Sequence, residues 1–335
     1  MFFQLAEILP SSPTATWDLA KQLGVTHAVS NVPIDASGHP TADFRTLLHQ
    51  KERFRQAGID LVVLETGFPW AHHAKIGGPN ADAEIETCCE LIRNMGKVGI
   101  QVACWNWMAV FNWTRTSLAI PTRGGAVVTG YDHSLMADAP LTDAGEVSEE
   151  TLWSNLERFM RAVVPAAEEA GVKLALHPDD PPISPIQGIG RILTSPDAMA
   201  KAIDLVPSPN NGITFCQGSF ATMNADVPAE IARFSAKGAL HFVHFRDVVG
   251  TPERFQEAFH DDGQTDMWAA MRAYQAAGFS GPMRPDHVPT MAGEENGHPG
   301  YVSARPALRD RVHQGPRRRS RKIGVIGLSR SPWPR

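Results

Sequence analysis

Short apolar runs rich in β-branched residues alternate along this chain with longer stretches whose apolar positions recur at helical spacing. The runs are FFQLA near Phe2, THAVSNV from Thr26, IDLVVLE from Ile59, IQVACWNW from Ile100, VKLALH from Val172, GITFC from Gly212, LHFVHF from Leu240 and GPMRPD from Gly281, which makes eight candidate strands. Several are nearly continuous in apolar residues, the pattern of parallel strands covered on both faces. Between them the spacing predicts helices over Ser12 to Leu23, Thr41 to Ala57, Asp82 to Val98, Ser148 to Ala170, Ser195 to Leu205, Pro228 to Ala236 and Thr265 to Ala277. Glycines such as Gly99 and Gly171 follow directly, where a helix ends most easily in left-handed backbone.

Repeated strand-helix alternation with no linker between two cores predicts an α/β fold, a single (β/α)8 TIM barrel. The length of 335 residues suits one barrel with insertions. Two segments break the rhythm, Asn112 to Gly145 and the Pro-rich HPDDPPISPIQGIG from His177. Both read as long loops of the kind that shape a barrel's active site. GIGRI near Gly188 is not a dinucleotide-binding glycine fingerprint, which argues against a two-domain nucleotide-binding fold.

Composition narrows the function classes. Hydrophobic residues make up 43% and charged residues 20%, the balance of a soluble globular enzyme. A net charge of −5 supplies no basic field for nucleic acid or an anionic membrane surface. No apolar stretch is long enough to span a bilayer, and the chain opens without a basic segment leading into an apolar run. Cys88, Cys89, Cys104 and Cys216 form no CxxC pair, so a reducing cytoplasmic setting without a structural disulfide is expected. A homo-oligomer is left open.

The chemistry concentrates at strand ends. His177 closes VKLALH, Cys216 closes GITFC, His244 lies in HFVHF and Asp286 closes GPMRPD. Their separations of 39, 28 and 42 residues each fit one βα unit with its loop. Parallel strands of a barrel deliver their carboxyl ends to one face, so these four can converge. Imidazole, thiolate and carboxylate are ligands for a divalent first-row metal. Taken singly, each has a plainer reading: a small buried core thiol, a hydrogen-bonded core imidazole, a cap or salt-bridge carboxylate. Their coincidence on one face favours the metal.

The strings GVKLALHPDDPP, NGITFCQGS, HFVHFRDV, FHDDGQTDM and GPMRPDHVPTMAGEENG, with RNMGKVGI and TRGGAVVTG, resemble the D-mannonate dehydratase family from about Phe2 to Tyr301. The resemblance implies a xylose-isomerase-like barrel, a manganese ion (Mn2+) and dehydration of D-mannonate to 2-keto-3-deoxy-D-gluconate and water in hexuronate catabolism. It assigns His177, Cys216, His244 and Asp286 to the metal, and His287 and Tyr301, beside Asp286, to the catalytic groups. A thiolate is softer than manganese prefers, so ligand chemistry alone leaves Fe2+, Co2+ and Zn2+ open. Arg246 and Arg284 are candidates to hold the anionic sugar-acid substrate, with salt bridges to loop aspartates such as Asp179 and Asp180 as the alternative. Those acidic pairs, with Asp261 and Asp262, read mostly as loop-capping and turn residues. Trp105, Trp107 and Trp113 either wall the pocket or fill the barrel.

Two other functions stay in view. One is a metal-dependent sugar isomerase or epimerase on the same scaffold; the other is a noncatalytic sugar-acid binding protein whose altered tail has removed a required group. After Tyr301 the resemblance stops, and the basic PRRRSRK region shows no apolar periodicity. Residues 1–301 are therefore expected to form the catalytic barrel. Residues 302–335 are expected to form an atypical, poorly ordered tail, as a shift of reading frame near residue 301 would produce.

Overall fold

The computed structural model describes residues 3–65, 68–292 and 294; Tyr301 and the 302–335 tail lie outside the described residues. In chain order the elements are β1 (Gln4–Ile8), α1 (Ala15–Gln22), β2 (His27–Ser30), α2 (Phe44–Gln56), β3 (Asp60–Glu65), α3 (His72–Ile76), α4 (Ala81–Val98) and β4 (Val102–Asn106). There follow β5 (Ser117–Pro121), β6 (Val127–Asp132), α5 (Glu149–Ala170), β7 (Lys173–His177), α6 (Pro196–Asp204), β8 (Asn211–Cys216), α7 (Gln217–Thr222) and α8 (Val227–Ala236). The last are β9 (Leu240–His244), β10 (Asp247–Thr251), β11 (Arg254–Ala258), α9 (Met267–Ala276) and β12 (Pro282–Arg284).

Eight strands close into a parallel barrel in the order β1-β12-β9-β8-β7-β4-β3-β2. Each of the eight apolar runs read from the sequence supplies one of them. Ala6, Val29, Val63, Val102, Cys104, Ala175 and Phe242 pack inside the barrel, while a larger apolar layer fills the space between strands and helices. Helix starts follow local chemistry: Ser148, Ser195, Asp226 and Asp266 each accept a backbone N–H from the first turn of α5, α6, α8 and α9. α4 and α5 lie so close that a Cβ on Gly96 would stand 2.4 Å from the Ala170 carbonyl oxygen. Trp105 and Trp107 belong to this outer layer, packing with Phe159 of α5, so they fill the fold and do not line the mouth.

The segment from Asn112 to Gly145 is not a plain loop. It contributes β5 and β6 to an antiparallel sheet of order β10-β11-β6-β5, whose other half follows β9. Strands of five or six residues interrupted by Gly130 and Gly250 carry little apolar signal, which is why the segment reads as irregular. Val127 of β6 exchanges backbone hydrogen bonds with Thr290, tying the segment after β12 to this sheet. The sheet therefore stands over the carboxyl-terminal mouth of the barrel. α3 and α7 are also short additions that the apolar spacing does not announce.

Candidate metal centre and active site

His177, Cys216 and His244 end β7, β8 and β9, and the register sets Cys216 beside His244. β12 stops at Arg284, two residues short of Asp286. Asp286 has a φ of 64°, a left-handed turn that swings both its carboxylate and His287 back over the mouth. The alternation that would send neighbouring residues of a strand to opposite faces no longer applies there.

One ligand atom from each of His177, Cys216, His244 and Asp286 lies within 4.8 Å of the others. Cys216, His244 and Asp286 are at most 2% exposed. His177 Nδ1 lies 2.7 Å from the Pro178 carbonyl oxygen, the second contact that orients a ligating imidazole. Both nitrogens of His244 are buried without a well-formed hydrogen bond, each facing a carboxylate at 3.3 Å, Nδ1 toward Asp286 Oδ2 and Nε2 toward Glu65 Oε1. An orphaned nitrogen aimed into a cluster of thiol, imidazole and carboxylate fits a bound divalent cation. Burial alone would raise the Cys216 thiol, but the Arg246 guanidinium and His177 hold it well below the ordinary thiol range, which favours the thiolate a metal requires.

Around this cluster runs a closed network of buried charge. Arg246 lies 2.8 Å from Asp286 Oδ2 and donates to Asp180 Oδ2 at 2.7 Å, to Glu257 Oε2 at 2.8 Å and to Cys216 Sγ at 3.3 Å. Arg115 donates to Asp180 Oδ1 and to Glu257 Oε1, both at 2.6 Å. Arg284 donates to both oxygens of Glu65 and, at 2.8 Å, to Asp286 Oδ1. Thus both arginines singled out from the sequence reach the site, and protein carboxylates engage them there. Of the loop aspartates, Asp180 belongs to the network, while Asp179 pairs with Arg191 and accepts the Leu193 N–H.

His287 Nδ1 lies 3.0 Å from Glu257 Oε1, and its Nε2 is 3.9 Å from Asp286 Oδ1, turned toward the ligand cluster. Trp113 packs on the His287 ring with centroids 5.0 Å apart, so this tryptophan does wall the site. Burial opposes ionisation of Glu257, but Arg246, His287 and Arg115 outweigh it and bring the carboxyl down to about 2. The position of Tyr301 lies outside the described residues.

Glu65, Glu257 and Arg115 were not singled out from the sequence, nor was Ser219, which donates to Cys216 Sγ at 3.2 Å. Glu65 carried a usable signal, since it closes IDLVVLE as His177 closes VKLALH. Glu257 and Arg115 arrive with the antiparallel sheet or its approach, and no strand-end rule reaches them.

Comparisons with known proteins identify the family and the fold. The D-mannonate dehydratase (UxuA) family model matches residues 14–144 and 141–313, extending past Tyr301. Mannonate dehydratase 2 of Halalkalibacterium halodurans is 36% identical over 282 residues, 76% of this chain and 81% of that protein. The mannonate dehydratase of Streptococcus equi subsp. zooepidemicus is 35% identical over 305 residues, 83% of this chain and 82% of that one. The crystal structure of mannonate dehydratase from Streptococcus suis serotype2 superposes with a TM-score of 0.83 at 30% identity, covering 99% of this chain and 98% of that chain. A xylose isomerase domain protein from Planctomyces limnophilus, at 15% identity and a TM-score of 0.56, shares the fold. Strand order, the family model and the relatives' sequences converge, and the chain belongs to the D-mannonate dehydratase family.

Proposed function

We propose that this hydro-lyase dehydrates D-mannonate to 2-keto-3-deoxy-D-gluconate, using a divalent metal, manganese by preference, held by His177, Cys216, His244 and Asp286. The observation that carries the metal reading is the convergence of those four ligand atoms within 4.8 Å. When bound, the cation supplies a Lewis acid for the charge that develops on the substrate's oxygens. Loss of water breaks the C–H bond beside the carboxylate, forms a C=C bond and releases the hydroxyl of the next carbon with a proton; the resulting enol becomes the ketone. His287 is oriented for one of these proton transfers. Glu257 fixes its Nδ1 side, leaving Nε2 toward the reacting atoms, and Trp113 limits ring rotation. Tyr301 is assigned the complementary transfer.

Arg246 and Arg284 serve the substrate indirectly in this reading. Their donors are used in holding Asp286, Cys216 and Glu65, which keeps the ligand frame rigid. Residues 1–301 are read as the catalytic unit and 302–335 as lying outside it. The buried thiols, one in the ligand set, fit a reducing cytoplasmic compartment.

Purified protein incubated with D-mannonate and Mn2+ should yield the 2-keto-3-deoxy acid, and chelation should abolish it. Cys216→Ser and His244→Ala should lose metal and turnover together. Full metal content in both variants, or interconversion of aldoses without a keto-deoxy product, would overturn this function.

A further inference from the structure

A carboxylate on the far side of the barrel touches the ligand set. In the closed order, β3 stands diametrically opposite β9, so Glu65 is no strand neighbour of His244. Its side chain crosses the mouth all the same. Glu65 Oε1 lies 3.3 Å from His244 Nε2, the nitrogen turned away from Asp286. Glu65 Oε2 accepts from Arg284 Nε at 2.7 Å, Oε1 accepts from Arg284 Nη2, and the same Nη2 donates to Asp286 Oδ1.

We propose that Glu65 is a positioning residue of the metal centre, fixing the His244 ring directly and the Asp286 carboxylate through Arg284. The inference rests on the metal reading above. An imidazole that presents Nδ1 to a cation needs an acceptor at Nε2 to hold its tautomer and orientation, and a carboxylate is the strongest such partner. Asp286 has the complementary need. It sits past the end of β12 in left-handed backbone, where no ladder hydrogen bond holds it, and Arg284 pins one oxygen while the other faces His244. Arg284 is itself oriented by Glu65 through two parallel hydrogen bonds, a geometry that fixes direction as well as distance. One carboxylate from the first half of the chain thereby sets two of the four ligands supplied by the second half.

The test is Glu65→Gln, which keeps the side chain's size and an acceptor oxygen while removing its charge. Wild type and variant are titrated with Mn2+ alone, followed calorimetrically and by the Mn2+ electron paramagnetic resonance spectrum, with circular dichroism to check the fold. Expected are a retained fold, Mn2+ affinity weaker by about 10- to 100-fold, and an altered spectrum; saturating Mn2+ should restore part of the lost kcat/KM. Should E65Q fail to fold, the double variant Glu65→Gln/Arg284→Met removes both buried charges and carries the same expectation. Mn2+ affinity within twofold of wild type in a folded variant overturns the inference and leaves the metal reading standing. A wild-type chain that takes up no divalent ion overturns both.

Discussion

At Asp286 the backbone adopts a φ that a non-glycine residue seldom holds, tolerated best by Asp and Asn. Asp286→Asn should therefore fold with little loss while its metal affinity falls sharply; unchanged Mn2+ binding would remove Asp286 from the ligand set. His287 makes a different prediction, because it sits beside the cluster without belonging to it. His287→Asn should lower kcat by about 10²- to 10⁴-fold with metal content intact, and loss of metal instead would make it a structural prop. Arg246 is buried among Asp180, Glu257 and Asp286. Replacing it by Ala leaves those carboxylates without their shared cation and should destabilise the fold by about 3–5 kcal/mol, read from urea unfolding. The four residues that meet at the barrel mouth were legible in the sequence because barrel geometry converts a strand end into an address. Glu65 had the same address and went unread, since a lone acidic residue at a strand end invites no particular chemistry until His244 is seen opposite it.

The elements divide by how strongly their burial marks the chain. All eight barrel strands are covered on both faces, and their apolar runs announce them. The antiparallel sheet is different: β5 is largely exposed and β10 and β11 are short, so neither alternation nor continuity rises above the surrounding loop. Yet this sheet delivers Glu257, and through its tie to Thr290 it braces the segment carrying His287. Gly130 lies at its centre, where an added Cβ would stand 2.5 Å from Ile120 Cδ1 and 2.9 Å from the Phe255 carbonyl oxygen. Gly130→Val should displace β6 from β11 and lower turnover at least tenfold, while Mn2+ affinity stays within about threefold because no cluster ligand lies on this sheet. Parallel loss of metal binding would show that the sheet supports the centre itself.

For the molecule as a whole, buried ionised groups set the response to acid. Glu65 and Glu257 are each brought down to about 2, against burial, by neighbouring cations, Arg284 and Arg246 foremost. Burial holds His241 down to about 4. Carboxyls depressed in the folded state contribute stability that is complete above their unfolded range near 4.5 and disappears as pH falls toward 2. A buried neutral imidazole acts in the same direction, losing its contribution between about 6.5 and 4. The urea midpoint should accordingly fall steadily from pH 6 to pH 3, and a flat profile over that interval would contradict the network's charge state. None of the four proposed ligands comes after residue 301, so a chain ending at Tyr301 should retain Mn2+ affinity within about threefold. All four proposed ligands lie between residues 177 and 286, whereas β1 must wait for β12 before the ring of strands can close. During synthesis, then, a ribosome-bound chain can offer all four side chains only once β12 and the turn at Asp286 have emerged. A product released before residue 286 lacks the fourth member of the cluster and would have no complete site to offer a cation.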